Sequence, residues 1–176
     1  MKRILLAVGL LASLAACDTL SPLGGPPEPS PVVGPPPFRA REFAWSAERG
    51  TSGIRGEVDF RPGQGRFSCS GQPVVLTPDA PFSRWRMVQL YGSPDRAALP
   101  ISQVRSRQGG RPSDDYSSFV RRTTCDAAGR FEFRGLPAGG WFIIVVAQPA
   151  TQGAEPMALM RRVITREGAV RSVLMN

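Results

Sequence analysis

Residues 123–147 read TTCDAAGRFEFRGLPAGGWFIIVVA, and the hydrophobic pattern of this stretch predicts β structure. Asp126 and Gly129 suit a tight turn, because glycine accepts positive φ angles without a steric cost. Residues 130–134 then alternate between charged side chains and phenylalanines, a period of two that predicts a strand with one buried face. Residues 141–147 are apolar on both faces, as expected for a central strand that is covered from either side.

The rest of the folded part continues this pattern. Further strands are predicted over residues 54–60, 74–76, 159–165 and 169–174, and the last two look like a closing hairpin. The 19 glycines and 18 prolines of the 176-residue chain favour turns over long helices. Many short strands between such turns predict an all-β chain that folds as an antiparallel β-sandwich or a small barrel.

Two segments do not follow the strand pattern. Residues 79–92 fit a short helix lying over a sheet edge, because an early proline precedes aromatic residues at helical steps, but a strand also fits. If such a helix leaves Phe82, Trp85 and Tyr91 uncovered, they would form an apolar surface for a partner. Residues 92–118 are polar and predict a long irregular loop, which is either functional or mobile.

Residues 123–141 resemble the T-D-x-x-G-x-F-x-F-x-x-L-P-x-G-x-Y signature of carboxypeptidase regulatory-like domains. Residues 53–58 are similar to the opening I-x-G-x-V strand of that family, and residues 69–83 to a bacterial subgroup with a cysteine and a proline-rich strand end. The resemblance covers about residues 53–147 and implies an Ig-like, transthyretin-like antiparallel β-sandwich with a short helix. It implies no catalytic residue, since the similar domain lies beside the catalytic one in peptidases and serves elsewhere in adhesion, folding or docking.

The first 16 residues have the pattern of a signal peptide, with a basic start and an apolar run too short to span a bilayer. The run ends in Leu14-Ala15-Ala16-Cys17, which resembles the lipobox of bacterial lipoproteins. The resemblance implies that Cys17 becomes the lipidated N-terminus, whose acyl chains anchor the protein on the periplasmic side of a membrane. Asp18 leaves the choice between inner and outer membrane open. The alternative is an ordinary cleaved signal that happens to contain a cysteine.

A linker over residues 17–38 separates this anchor from the β-sandwich domain, which is assigned to residues 39–176. The linker contains SPLGGPPEPSPVVGPPP, and proline cannot donate to a sheet or a helix because it lacks the backbone N–H. In the polyproline-II form, which rises about 3.1 Å per residue, it would hold the domain up to roughly 50 Å from the membrane. The alternative role is a PxxP ligand for an aromatic groove.

Two cysteines, Cys69 and Cys125, remain once Cys17 is acylated, an even number that suits an oxidising compartment. Each lies beside a predicted strand, so we expect a structural disulfide between them. Two buried thiols or a redox-active pair are the alternatives, although the C-x-x-C spacing of redox pairs is absent.

Composition excludes several kinds of catalysis. The chain has no histidine and a single lysine, Lys2, so it offers no histidine base, histidine metal ligand or lysine nucleophile in the folded part. Asp114 and Asp115 are adjacent and would point to opposite faces of a strand, so they do not form an acid–base pair. A Ca²⁺ site that they form with Asp95 or backbone carbonyls is an alternative, but no loop of the EF-hand type is present, and a solvated loop is the favoured interpretation. We therefore expect no enzyme, no cofactor and no metal.

Arginine supplies almost all the positive charge, with 22 Lys+Arg against 14 Asp+Glu and a net charge of +8. Guanidinium groups bind phosphate and carboxylate bidentately, so clustered arginines predict anion binding. The candidate anion-binding residues are Arg84, Arg86, Arg105, Arg107, Arg121 and Arg122, and Arg161 and Arg162 form a further cluster. The alternative explanation is compositional, since a genome rich in G and C replaces lysine with arginine throughout.

Together these observations predict a lipid-anchored, non-catalytic binding or scaffolding module of the periplasm. Its expected partners are the membrane, through the acyl chains, and a protein of the cell envelope, but not nucleic acid. One alternative is a structural subunit of an envelope assembly such as a secretion system. The other is an arginine-rich binder of anionic envelope lipid or glycan.

Overall fold

The computed structural model describes residues 34–63, 65–109 and 114–176. The predicted signal peptide, Cys17 and most of the predicted linker lie outside these residues. Within the described part, no helix is both long enough and apolar enough to cross a membrane.

The described residues form two β-sheets that pack face to face, which confirms the predicted all-β sandwich. The strands are β1 Ser52–Val58, β2 Phe67–Ser68, β3 Pro73–Pro78, β4 Arg96–Pro100, β5 Arg121–Thr124, β6 Arg130–Leu136, β7 Gly139–Pro149, β8 Met157–Thr165 and β9 Val170–Met175. The small sheet has the order β6-β1-β9, with β1 antiparallel to β6 and parallel to β9. The large sheet has the order β4-β8-β7-β3-β5, and β2 also pairs with β7; all of its pairs are antiparallel.

The main core lies between the two sheets. Phe131 and Phe133 of β6 point into it as their alternation predicts, and they face Trp141 and Ile143 of the large sheet. Across β1, Gly56 is the register partner of Phe131, whose ring occupies the space where a side chain at residue 56 would lie. The alternating pattern of β6 and β1 therefore positions the small sheet over the core.

Helices cover the outer face of the large sheet. They are α1 Pro81–Tyr91, α2 Ile101–Ser106 and α3 Asp114–Ser117, preceded by 3₁₀ turns at Ala40–Glu42 and Ala44–Ala47. Met87 and Leu90 of α1 pack against Phe142, which points away from the main core. Strand β7 is thus buried on both faces, as its apolar sequence predicts, because the core covers one face and α1 the other.

The helix predicted over residues 79–92 is confirmed, and the strand alternative is wrong. Pro81 opens α1, where its missing N–H costs nothing, and Gly92 ends it with a φ of 72°. The helix lies beside the edge strand β4, as predicted, and it also packs on Phe142 of the central strand β7. The loop predicted over residues 92–118 is also wrong, because this segment contains β4, α2 and α3.

The predicted closing hairpin is wrong in its pairing. Strand β8 lies between β7 and β4 in the large sheet, whereas β9 pairs with β1 in the small sheet. Both edges of β8 are occupied, so the chain after the turn at Arg166–Ala169 crosses to the other sheet.

The predicted disulfide between Cys69 and Cys125 is present, with a Cα–Cα distance of 5.7 Å. Both cysteines are buried in the main core. Backbone hydrogen bonds from Gly71 to the carbonyl of Cys125 and from Cys125 to the carbonyl of Gln72 flank the bridge. The disulfide therefore joins the segment before β3 to the end of β5, at the edge of the large sheet.

Candidate functional site

The predicted anion-binding arginines do not form one surface. Arg84 donates to both carboxylate oxygens of Asp79, at 3.0 and 2.7 Å, and Arg162 donates to the same group at 2.6 Å. The hydrogen bonds that Arg84 donates to the buried Asp79 carboxylate raise the pKa of Arg84. Arg84 thus belongs to a structural ion cluster that joins the start of α1 to β8.

Three more of these arginines contact groups of the protein itself. Arg121 donates to the carbonyl of Ser46 at 2.6 Å and lies over the ring of Trp141, 5.6 Å from its centroid. Arg107 donates to the carbonyl of Leu90 at 3.3 Å, at the C-terminal end of α1. Arg105 lies near Glu155, whose pKa is lowered mainly by hydrogen bonding to Ser102 and slightly by this arginine.

The remaining two, Arg86 and Arg122, line a cleft of about 330 Å³ between α1 and α3. Val75, Thr77 and Ile144 of the large sheet are among its lining residues, and no described lining residue is acidic. The hydroxyl groups of Thr77 and Tyr116 lie 2.7 Å apart in its wall. Burial raises the pKa of Tyr91 to about 12 and also raises that of Tyr116, while the nearby Arg86 lowers both. Arg86 therefore faces neutral phenols.

The three aromatic residues predicted as a partner surface are covered to different extents. Tyr91 is buried against the large sheet. Phe82 packs on the rings of Phe38 and Tyr116, with centroids 5.8 and 5.4 Å away, and Trp85 is half-buried beside it. Burial thus removes Tyr91 from the predicted surface, whereas Phe82 and Trp85 stay half-exposed while they contact other aromatic rings of the protein.

The outer face of the small sheet holds the larger depression, which we call the sheet groove. It has a volume of about 710 Å³, and its lining residues include Arg55 and Glu57 of β1, Arg130 and Glu132 of β6, Ser172 and Leu174 of β9, and Asp126. These side chains alternate with the core residues, so the pleat of each strand sends them to the same outer face. The alternation in the sequences of β1 and β6 predicts this charged outer face as well as the buried one.

Ion pairs hold the charged side chains of the sheet groove. Arg55 donates to Glu132 at 3.1 Å, and Arg134 donates to the other oxygen of Glu132 at 2.6 Å. Arg130 donates to Asp126 at 3.3 Å. The hydrogen bond from Arg134 is the main cause that lowers the pKa of Glu132, and a backbone hydrogen bond from Arg130 lowers that of Asp126. Both carboxylates are thus ionised acceptors at neutral pH.

No metal centre is assembled in the part of the chain that the structure describes. No group of three or more histidine, cysteine, aspartate or glutamate residues comes close enough there to hold an ion. The side chain of Asp114, one member of the Ca²⁺ alternative, lies outside the described residues.

Comparison with known proteins identifies the fold. No protein-family model matches this chain, and no curated protein is significantly similar to it in sequence. Among solved structures, a crystal structure from Pseudomonas aeruginosa, of a protein proposed to bind carbohydrate, is similar with a TM-score of 0.62 and 20% sequence identity. The match covers 81% of this chain and 99% of the other. At this identity the likeness establishes a shared fold.

Proposed function

We propose that this protein is a non-catalytic module that binds carbohydrate in the sheet groove. The observation that carries the proposal is the row of carboxylate and guanidinium groups along one open sheet face. Sugar hydroxyls both donate and accept hydrogen bonds, so they match a surface on which Glu57 and Glu132 accept while Arg55 and Arg130 donate. Helices cover the outer face of the large sheet, so the outer face of the small sheet is the open one.

The lowered pKa values of Asp126 and Glu132 do not suit these two groups to glycoside hydrolysis. Glycoside hydrolysis needs one carboxylic acid whose raised pKa keeps its proton at neutral pH, next to a second, ionised carboxylate. Asp126 and Glu132 have lowered pKa values, because arginines and backbone N–H groups stabilise their charged forms. Neither group would deliver a proton to a leaving oxygen.

The shared fold supports the proposal from a second direction, since the similar structure belongs to a protein that is itself proposed to bind carbohydrate. We also propose, from the sequence, that Cys17 carries the lipid anchor and that the domain belongs with the carboxypeptidase regulatory-like domains. An anchored periplasmic module of this kind would meet glycans of the cell envelope.

Calorimetric titration of the purified full-length chain with neutral tetrasaccharides (cellotetraose, maltotetraose and chitotetraose) tests the proposal. At least one of them is expected to bind, and Glu57→Gln is expected to weaken that binding at least tenfold, because it removes a carboxylate acceptor from the groove. The exposed Glu57 forms no ion pair with any other described residue, so the substitution should leave the fold intact. Glu48→Gln is the matched control, because Glu48 is exposed and lies outside the groove. Binding of none of the sugars, or equal affinity in both variants, would overturn the assignment of the groove.

A further inference from the structure

A second depression lies at the open side of the sandwich, between β8 of the large sheet and β9 of the small sheet. We call it the arginine cleft; its volume is about 510 Å³. Its charged lining residues in the described part are Arg161, Arg162, Arg166, Arg171 and one carboxylate, Asp95. The cleft exists because β8 and β9 join different sheets, so the turn between them leaves arginines on both sides of the gap.

The four arginines differ in how they are held. Arg162 is fixed by the buried Asp79, and Arg161 donates to the carbonyl of Leu174 at 2.5 Å. Arg166 and Arg171 are exposed, and their guanidinium groups make no ion pair or hydrogen bond within the described residues. Arg161 and Arg162 are therefore held by the protein, while Arg166 and Arg171 line the cleft with donors that no described residue occupies.

Exposed apolar side chains surround these cations. Ile164, Val170 and Leu174 are three of the four large apolar residues that remain exposed in the described part of the chain, and all three line the arginine cleft. A ligand that fits such a lining carries both anionic groups and apolar C–H surface. Sugars with carboxylate or phosphate substituents have this combination, because their ring faces present C–H groups while their substituents are charged.

The arginine cleft and the sheet groove share a wall. Ser172, Val173 and Leu174 of β9 line both depressions. Strand β9 is the edge strand of the small sheet, so no further strand separates the groove from the cleft on that side. A saccharide chain bound in the sheet groove would cross β9 and enter the arginine cleft.

We propose that the ligand is an acidic glycan, with its sugar chain in the sheet groove and its carboxylate or phosphate groups on Arg166 and Arg171 in the arginine cleft. This inference rests on the proposed function and specifies its ligand. The positive field of the cleft would strengthen binding at low ionic strength, and salt would screen it.

Titration with tetragalacturonate and with its methyl ester tests the inference, since the two ligands share a sugar skeleton and differ in charge. The acid is expected to bind at least tenfold more tightly than the ester in 50 mM NaCl, and the difference is expected to shrink in 500 mM NaCl. The variant Arg166→Gln/Arg171→Gln should bring the acid to within about twofold of the ester without changing the affinity for the ester. Arg49→Gln/Arg66→Gln, which removes two exposed arginines outside the cleft, is the matched control. Unchanged thermal midpoints confirm that the variants fold.

The other outcomes distinguish a failure of the arginine cleft as a ligand site from a failure of the carbohydrate proposal. Equal binding of acid and ester would overturn the arginine cleft as a ligand site and leave the carbohydrate proposal standing. If inorganic phosphate competes fully and the ester never binds, the cleft is an anion site and the carbohydrate proposal fails. Binding to vesicles of phosphatidylglycerol but to neither sugar would replace the glycan with a lipid surface. If nothing binds, both proposals fail.

Discussion

The carboxylate of Asp79 accepts a hydrogen bond of 2.6 Å from Nε of Arg162, a residue 83 positions further along the chain. Arg84 approaches the same carboxylate from α1, and only 2% of the Asp79 side chain is exposed. The ion cluster thus links the start of the helix to the strand that forms one wall of the arginine cleft. It holds one cleft arginine in place while Arg166 and Arg171 keep their donors free.

Replacing Asp79 by alanine is expected to lower the free energy of unfolding by about 2–3 kcal/mol. The loss comes from three charge-assisted hydrogen bonds, and it is moderated because both arginines reach water. Asp59→Ala removes an exposed ion pair with Arg61 and is the matched control, with an expected cost below about 1 kcal/mol. Urea unfolding of both variants measures the difference, and equal midpoints would contradict the role assigned to Asp79.

The disulfide is expected to contribute about 4 kcal/mol to stability, because it closes a loop between residues 56 positions apart. Urea unfolding with and without a thiol reductant measures this contribution. In the Cys69→Ala/Cys125→Ala variant the reductant should have no effect, which separates the bridge from other actions of the reagent. A wild-type chain that unfolds at the same urea concentration under both conditions would argue against a stabilising bridge.

The two tyrosines of the chain should resist ionisation while the protein is folded. Burial raises the pKa of Tyr91 to about 12 and raises that of Tyr116, so both favour the neutral phenol in the native state. A raised phenol pKa adds stability that is complete below the unfolded value of about 10 and is lost as the pH rises toward 12. Tyrosinate absorbance of the native chain should therefore stay low at pH 10.5 and rise on adding urea at the same pH.

Gly56→Ala tests the packing beneath the sheet groove. A Cβ at residue 56 would lie 2.0 Å from the Phe131 ring, so the ring must move, at an expected cost of about 1–3 kcal/mol. Gly109→Ala is the control, since a Cβ there meets nothing within 4 Å. Thermal unfolding compares the two, and a Gly56→Ala protein as stable as the control would show that Phe131 adapts without cost.

Part of the candidate site was contained in the sequence. The outward charges of β1 and β6 follow from the same alternation that predicts Phe131 and Phe133 as buried. The sequence did not show which arginines face a common space. Arg84, Arg107 and Arg121 were chosen because each has another arginine nearby in the sequence, but in the structure each contacts the protein itself. Arg166 and Arg171 were not selected, because neither lies next to or two residues from another arginine in the sequence.

By itself the sequence indicated six of the nine described strands (β1, β3, β6, β7, β8 and β9), the turn at Gly129 and the cysteine pair, and it favoured the helix α1 over a strand. Each of these depends on residues that are near in the chain or on a simple count, whereas β2, β4 and β5 were not predicted. Only the tertiary structure decided that β9 leaves β8 and joins β1, where Val170 is the partner of Gly53. Alternation records which face of a strand is buried and contains no information about the neighbouring strand. Pairing depends on which edges remain free once the whole chain packs, and both the sheet groove and the arginine cleft follow from that choice.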